Sequence, residues 1–281
     1  MKSVVENNLL RVTYQNLLEF YKHTDIKTIP QDLPSDNRDN LKEIIKNPTD
    51  SWRYGNEDDH SKYLATRMDP KKGKSLSQDE IKKVISTSEY KKVLTKALTY
   101  RKKINFRDAG SRIDIPRAVS GDDKIFVQQK SASKPVVKLA MNMCVSAMCS
   151  DEDLMKISLR TVPVIYALES AGIATEVWLC TFNTGLYCNS IDHALVEVKV
   201  KSAQERFNWI TFGPLFCTGT YRDNFFKSWC LQPYETTNGL GYPMDANKIK
   251  ENNNYGYATV VTNQGPGPVE SIQDLFSKIK F

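Results

Sequence analysis

The sequence predicts an α/β protein: a mostly parallel, Rossmann-like sheet flanked by helices and preceded by a mainly helical, basic N-terminal part. Three observations predict it. The runs KPVVKLAMNM (134–143), ATEVWLCTF (174–182) and ALVEVKVKS (194–202) have the length and apolar content of buried strands. Between the first two lies SDEDLMKISLRTVPVIYALESAG (150–172), a helical pattern, and strand–helix–strand order argues for parallel pairing. Upstream, apolar residues recur every three or four positions over 77–104 among many lysines. The expected organisation is a basic, mainly helical region over 1–130 and an α/β domain over 131–281.

Taken in order, Val5, Leu9, Leu10, Val12, Leu17, Leu18 and Phe20 have roughly helical spacing, which predicts a helix within 4–22. IPQDLP (29–34) breaks that pattern, and DNRDNLKEIIK (36–46) reads as a short helix with an acidic first turn. Trp52, Tyr54, Tyr63 and Leu64 are candidate anchors of a small core, and PKKGK (70–74) is an exposed turn. One long helix is expected from Ser77 or Gln78 to about Ile104, with Ile81, Val84, Ile85, Val93, Leu94, Ala97 and Leu98 on its apolar face. Strand-like pieces follow around Ile113–Ile115 and Ile125–Gln128, split by Pro116 and Gly121.

In the α/β part, Ser150 is the expected N-cap of the 150–172 helix, three acids fill its first turn and Gly172 is its C-cap. Pro163 is expected to bend it. QERFNWITFGPLF and TYRDNFFKSWCLQ read as helical or mixed, GYATVVTNQ as a late strand and Val269–Ile279 as a terminal helix.

The net charge of +6 conceals an asymmetry. Residues 81–138 carry 15 Lys/Arg against 5 Asp/Glu, whereas 1–80 carry 13 against 14 and 139–281 carry 11 against 14. Concentration on that scale points to a polyanionic partner. No apolar run approaches the ~20 residues of a membrane span, and the N-terminus has no secretory pattern. The six cysteines form no CxxC pair and sit in apolar surroundings, as reduced thiols do. The expected location is therefore cytoplasmic, with no membrane partner.

Within the basic segment, Lys91, Lys92, Lys96, Arg101, Lys102, Lys103, Arg107, Arg112 and Arg117 interleave with Tyr100 and Phe106. Cations of this kind track phosphates and release counterions, and aromatic faces stack unpaired bases. No duplex-reading motif is present, so single strands or non-specific backbone contact are the expected modes of binding. YRDNFFKSW (221–229) is a second mixed cluster, whose Phe225 and Phe226 are better read as core.

The junction after Asn142 is where α/β folds place ligands. Strand, small-residue loop, helix and strand over 134–182 resemble the start of a von Willebrand factor A-like domain. In that family the first strand ends in D-x-S-x-S, which holds a divalent cation. The matching positions here are Asn142, Cys144 and Ser146. Asparagine removes the negative charge and cysteine offers a soft sulfur to a hard ion, so a degenerate site without metal is expected.

Other chemistry is sparse. His23, His60 and His193 have no ligand-spaced partners, and neither GxxxxGK[ST] nor GxGxxG occurs. No cofactor and no enzymatic activity are expected. SWRYGNEDDHSKYLA, DAGSRIDIPRAVSGD, the degenerate A-like strand and helix, and FGPLFCTGTYRDNFF together resemble a family of tailed-phage proteins over residues 51–245. That resemblance implies a single-stranded-DNA-binding protein of the host cytoplasm that recruits a phage RNA polymerase, or docks another phage protein. The alternative is an A-like interaction or assembly module that binds no nucleic acid.

Overall fold

The computed structural model describes residues 1–46, 78–101, 106–107, 112–113, 115–121, 123–124, 126–127, 136–142, 151–185, 187, 191–207, 224–237, 242–243, 259–260 and 276–277. The chain begins with a hairpin. β1 (Lys2–Glu6) and β2 (Leu9–Tyr14) pair antiparallel, with Glu6 opposite Leu9. The two-residue connection Asn7–Asn8 has φ of 49° and 59°, the left-handed geometry of a type I′ turn. The helix expected over 4–22 is thereby corrected. Leu10, Val12 and Tyr14 are buried while Arg11 and Thr13 point to the other face, so the governing period is 2, not 3.6. Only the last part is helical: α1 (Leu17–Thr24), whose N-cap Asn16 accepts a hydrogen bond from the Glu19 N–H at 2.8 Å.

α2 (Ser35–Lys46) forms where expected. The expected 77–104 helix is two helices, α3 (Gln78–Ile85) and α4 (Ser88–Arg101). Hydroxyl chemistry makes the break. Ser86 and Thr87 each donate a side-chain hydrogen bond at 2.7 Å to a carbonyl three residues back, Lys83 and Val84. Thr87 Oγ1 then accepts from Tyr90 N at 3.2 Å, capping α4.

Three short strands, β3 (Phe106–Arg107), β4 (Arg112–Ile113) and β5 (Phe126–Val127), form a separate antiparallel sheet in the order β3-β5-β4. Ile115 belongs not to a strand but to α5 (Ile115–Val119), because proline is tolerated in a helix's first turn. Gly121, at φ 75°, follows that helix in the left-handed region.

The main sheet adds β6 (Val136–Asn142), β7 (Ala174–Thr184), β8 (His193–Lys201), β9 (Tyr242–Pro243) and β10 (Thr259–Val260). Its order is β1-β2-β8-β7-β6-β10, with β9 beside the end of β7. Five strands have five or more residues, and the sheet is mixed rather than mostly parallel. β6 runs parallel to β7 and β10, and β2 parallel to β8, but β7 and β8 are antiparallel. The reason is the connection. Only eight residues, 185–192, join β7 to β8, too few for the crossover a parallel pair needs.

α6 (Asp151–Ser170) links β6 to β7 and continues through Pro163. It ends as expected. Gly172, at φ 77°, donates to Glu169 O and Ile173 N donates to Leu168 O, both at 2.9 Å, a Schellman closure. α7 (Phe226–Cys230) is buried throughout.

One face of the main sheet carries the principal core. Leu10, Val12 and Tyr14 of β2, Val137, Leu139 and Met141 of β6, Val177 and Leu179 of β7 and Val196 and Val198 of β8 meet residues of the helices there. α3 and α4 pack on α6, while α1 and α2 pack on α7. Residues on both sides of the expected division at 130/131 thus share one sheet and one core. Leu9, Ala140, Trp178, Cys180, Phe182 and Leu195 form a smaller buried cluster on the opposite face.

Candidate nucleic-acid interface

α4 is amphipathic in the way its sequence requires. Tyr90, Val93 and Ala97 are buried and turn toward α6, whereas Lys91, Lys92, Thr95, Lys96 and Thr99 are exposed. At about 100° per residue, Lys91, Lys92 and Lys96 fall within an arc of roughly 140° opposite the buried stripe. None of the three forms an ion pair with a described residue. Lys82 and Lys83 on α3 are likewise exposed. Not all the excess charge is open: Lys138 on β6 lies 3.9 Å from Glu176, which also faces Lys199 at 3.5 Å.

The remaining predicted positions divide as follows. Tyr100 and Arg101 form the last turn of α4. Lys102 and Lys103 lie outside the described residues. Phe106 and Arg107 make up β3, Arg112 opens β4 and Arg117 lies within α5. The register brings Phe106 and Arg112 into one row, on either side of Val127 of β5, and sets Arg107 in the neighbouring row across Phe126 from Ile113. That juxtaposition of residues six apart is invisible in the linear order.

Of the expected degenerate ion site, Asn142 ends β6 opposite Cys180 of β7. Cys144 and Ser146 lie outside the described residues. Among the described residues no three His, Cys, Asp or Glu side chains gather as metal ligands would. Cys180 is fully buried; desolvation, and secondarily the nearby Glu197 carboxylate, push its thiol pKa up, which makes it a poor nucleophile. Glu197 itself is buried and accepts from Arg11 Nε and Thr13 Oγ1, each at 2.7 Å. Phe225 and Phe226 are core residues, as expected of the second mixed cluster, and Trp229 joins them.

A second cationic surface was not anticipated. Lys27, Arg38, Lys42 and Lys46 border a groove between the segment after α1 and α2. The near-zero charge balance of 1–80 hid it. The legible signal was the i, i+4, i+8 spacing of Arg38, Lys42 and Lys46 in DNRDNLKEIIK.

Fold and surface together define an α/β protein with a mixed sheet flanked by helices and a cationic helix face. The chain belongs to the family described as Domain of unknown function (DUF7192), which matches residues 2–265. That span includes the hairpin, α4 and the sheet. No curated protein and no solved structure matches the chain. No described helix is long and apolar enough to cross a membrane.

Proposed function

We propose that this protein is a non-catalytic accessory protein that holds single-stranded DNA along α4 and the basic residues following it. The observation that carries this reading is the gathering of Lys91, Lys92 and Lys96 on one exposed arc, with Glu89 at its edge and no ion pair between any of the three and a described residue. Ordinary solubility does not need 15 cations against 5 acids in 58 residues, and the same stretch of sequence holds the aromatic residues Tyr100 and Phe106, a type that stacks on unpaired bases. The resemblance to tailed-phage proteins supplies the rest: the partner is a phage RNA polymerase or another phage protein, met in the host cytoplasm.

The test is a titration with labelled single- and double-stranded oligonucleotides at two ionic strengths. Log affinity for the single strand should fall linearly with log salt. Reversing Lys91, Lys92 and Lys96 to glutamate should flatten that slope by about 2, at roughly 0.7 per lost phosphate contact. Unchanged affinity in the triple variant removes the reading.

The second reading is a von Willebrand A-like interaction module that binds no nucleic acid. The parallel β6–α6–β7 unit favours it. The lysines of α4 would then face an acidic protein surface. This reading expects a protein complex that survives nuclease and no oligonucleotide shift at low salt.

A further inference from the structure

We propose that the groove between α2 and the segment after α1 docks an acidic peptide segment of a partner protein, anchored by one aliphatic or aromatic side chain. The groove measures about 550 Å³. Lys27, Arg38, Lys42 and Lys46 rim it, Ile29 and Ile45 give it apolar surface, and among the described residues no acid lines its floor. This assignment is independent of the nucleic-acid reading of α4.

Three observations point to an anionic occupant. First, α2 sorts its charges. Its core stripe is Asn37, Leu41 and Ile44, its cations stand together at i, i+4 and i+8, and its acids Asp36, Asp39 and Glu43 fill the adjoining arc. Second, Arg38 is incompletely satisfied. Its Nη1 donates to Gln31 Oε1 at 3.3 Å, while its Nε, shielded from solvent, has no acceptor among the described residues. A shielded charged donor without an acceptor calls for one from outside. Third, the single acid reaching the rim is displaceable: Asp39 holds Lys42 at 2.6 Å, but both side chains are about two-thirds exposed, at 68% and 64%. Such a pair contributes little.

Geometry and chemistry select a peptide. Successive cations at i and i+4 are separated by about 6 Å along the helix, close to the ~6.7 Å between alternate residues of an extended strand. Alternate carboxylates of an extended segment can therefore meet Arg38, Lys42 and Lys46 in turn. Ile45, 37% exposed beside them, offers apolar area to an anchor side chain. No aromatic residue lines the groove, so the stacking that gives single strands their affinity has no platform there.

The test uses the full chain and a fluorescein-labelled peptide of alternating aspartates around one leucine, with a labelled oligothymidylate in parallel. Lys42→Glu with Lys46→Glu should weaken peptide binding at least about tenfold, and replacing the peptide's leucine by serine should weaken it several-fold. Oligothymidylate affinity should not change. Lys42→Gln with Lys46→Gln repeats the measurement without charge reversal, in case the glutamates disturb α2. Absent peptide binding, or binding indifferent to both pairs of substitutions, overturns the proposal. So does a matching loss of oligothymidylate affinity, which would assign the groove to nucleic acid. Reversal at Lys91, Lys92 and Lys96, measured alongside, reads the α4 surface separately.

Discussion

Lys201 Nζ lies 2.5 Å from Glu169 Oε1, joining the end of β8 to the end of α6. It faces the helices because the β7–β8 ladder slips by one residue: Val177 pairs with Lys201 but Trp178 pairs with Lys199. Val200 is the extra residue of this bulge, which re-aims the side chain after it. The lysine is buried, and it also donates to Thr175 O at 2.7 Å and Ser202 O at 3.1 Å. Glu169 in turn accepts from Thr175 Oγ1 and Phe207 N.

Removing one partner should leave an uncompensated charge. Glu169→Ala is expected to destabilise the protein by about 3 kcal/mol, whereas Lys201→Met with Glu169→Leu should cost much less. Urea midpoints of the single and double variants check this. A double-variant loss as large as the single losses added together would show that the pair is not coupled.

Asn37 is the second joint. Its Nδ2 faces the carbonyls of Cys230, Gln232 and Tyr234 at 2.8–3.1 Å, and its Oδ1 accepts from Thr236 N and Oγ1. Asn37→Asp keeps the shape but turns a carboxylate toward three carbonyl oxygens. A loss of at least about 2–3 kcal/mol is expected, larger than for Asn40→Asp, where the half-buried Asn40 Nδ2 makes a single bond to Thr236 Oγ1 at 3.0 Å. Thermal unfolding of the two variants decides it.

Stability should also fall in mild acid. Burial, and then the charge of the amino terminus, hold the His23 pKa below its ordinary 6.5. The unfolded chain therefore takes up the proton first, and stability declines as pH drops through 6.5 until the folded imidazole titrates as well. His23 Nδ1 is 2.7 Å from Tyr14 Oη, which lies 2.8 Å from Ser228 Oγ. Burial raises the Tyr14 pKa above its usual 10.0, so stability should also decline as pH rises past that value. His23→Gln should flatten the acid limb alone, read from urea midpoints against pH.

The Asn7–Asn8 turn makes a local prediction. Asn8→Gly should be nearly neutral, because glycine suits φ 59° and its carbonyl still accepts from Asp192 N and His193 N. Asn8→Val should cost about 1–2 kcal/mol, the strain of a β-branched residue in left-handed geometry. Similar melting temperatures for the two variants would show that the turn geometry does not limit stability.

The elements read correctly were those whose signals are local. β6, α6, β7 and β8 announce themselves through apolar runs, a caps-and-glycine helix and period-2 burial, all within a few residues. The hairpin was missed because Leu9, Leu10 and Val12 satisfy both periods, and only pairing across 184 residues, Leu9 with His193, selects the strand. The α3–α4 break was legible in Ser86-Thr87, whose hydroxyls compete with the helix's own hydrogen bonds.

The sequence by itself determined which segments are apolar enough to be buried, where the long β6–β7 connection must be helical, and that positive charge is concentrated in 81–138. Tertiary structure decided that the N-terminal hairpin completes the sheet, that β7 and β8 run antiparallel, and that Arg38, Lys42 and Lys46 share a groove with Lys27. The physical reason is range. Hydrophobic period and capping act over one or two helical turns, whereas strand direction, and which charges stand together on a surface, are settled by contacts between residues far apart in the chain.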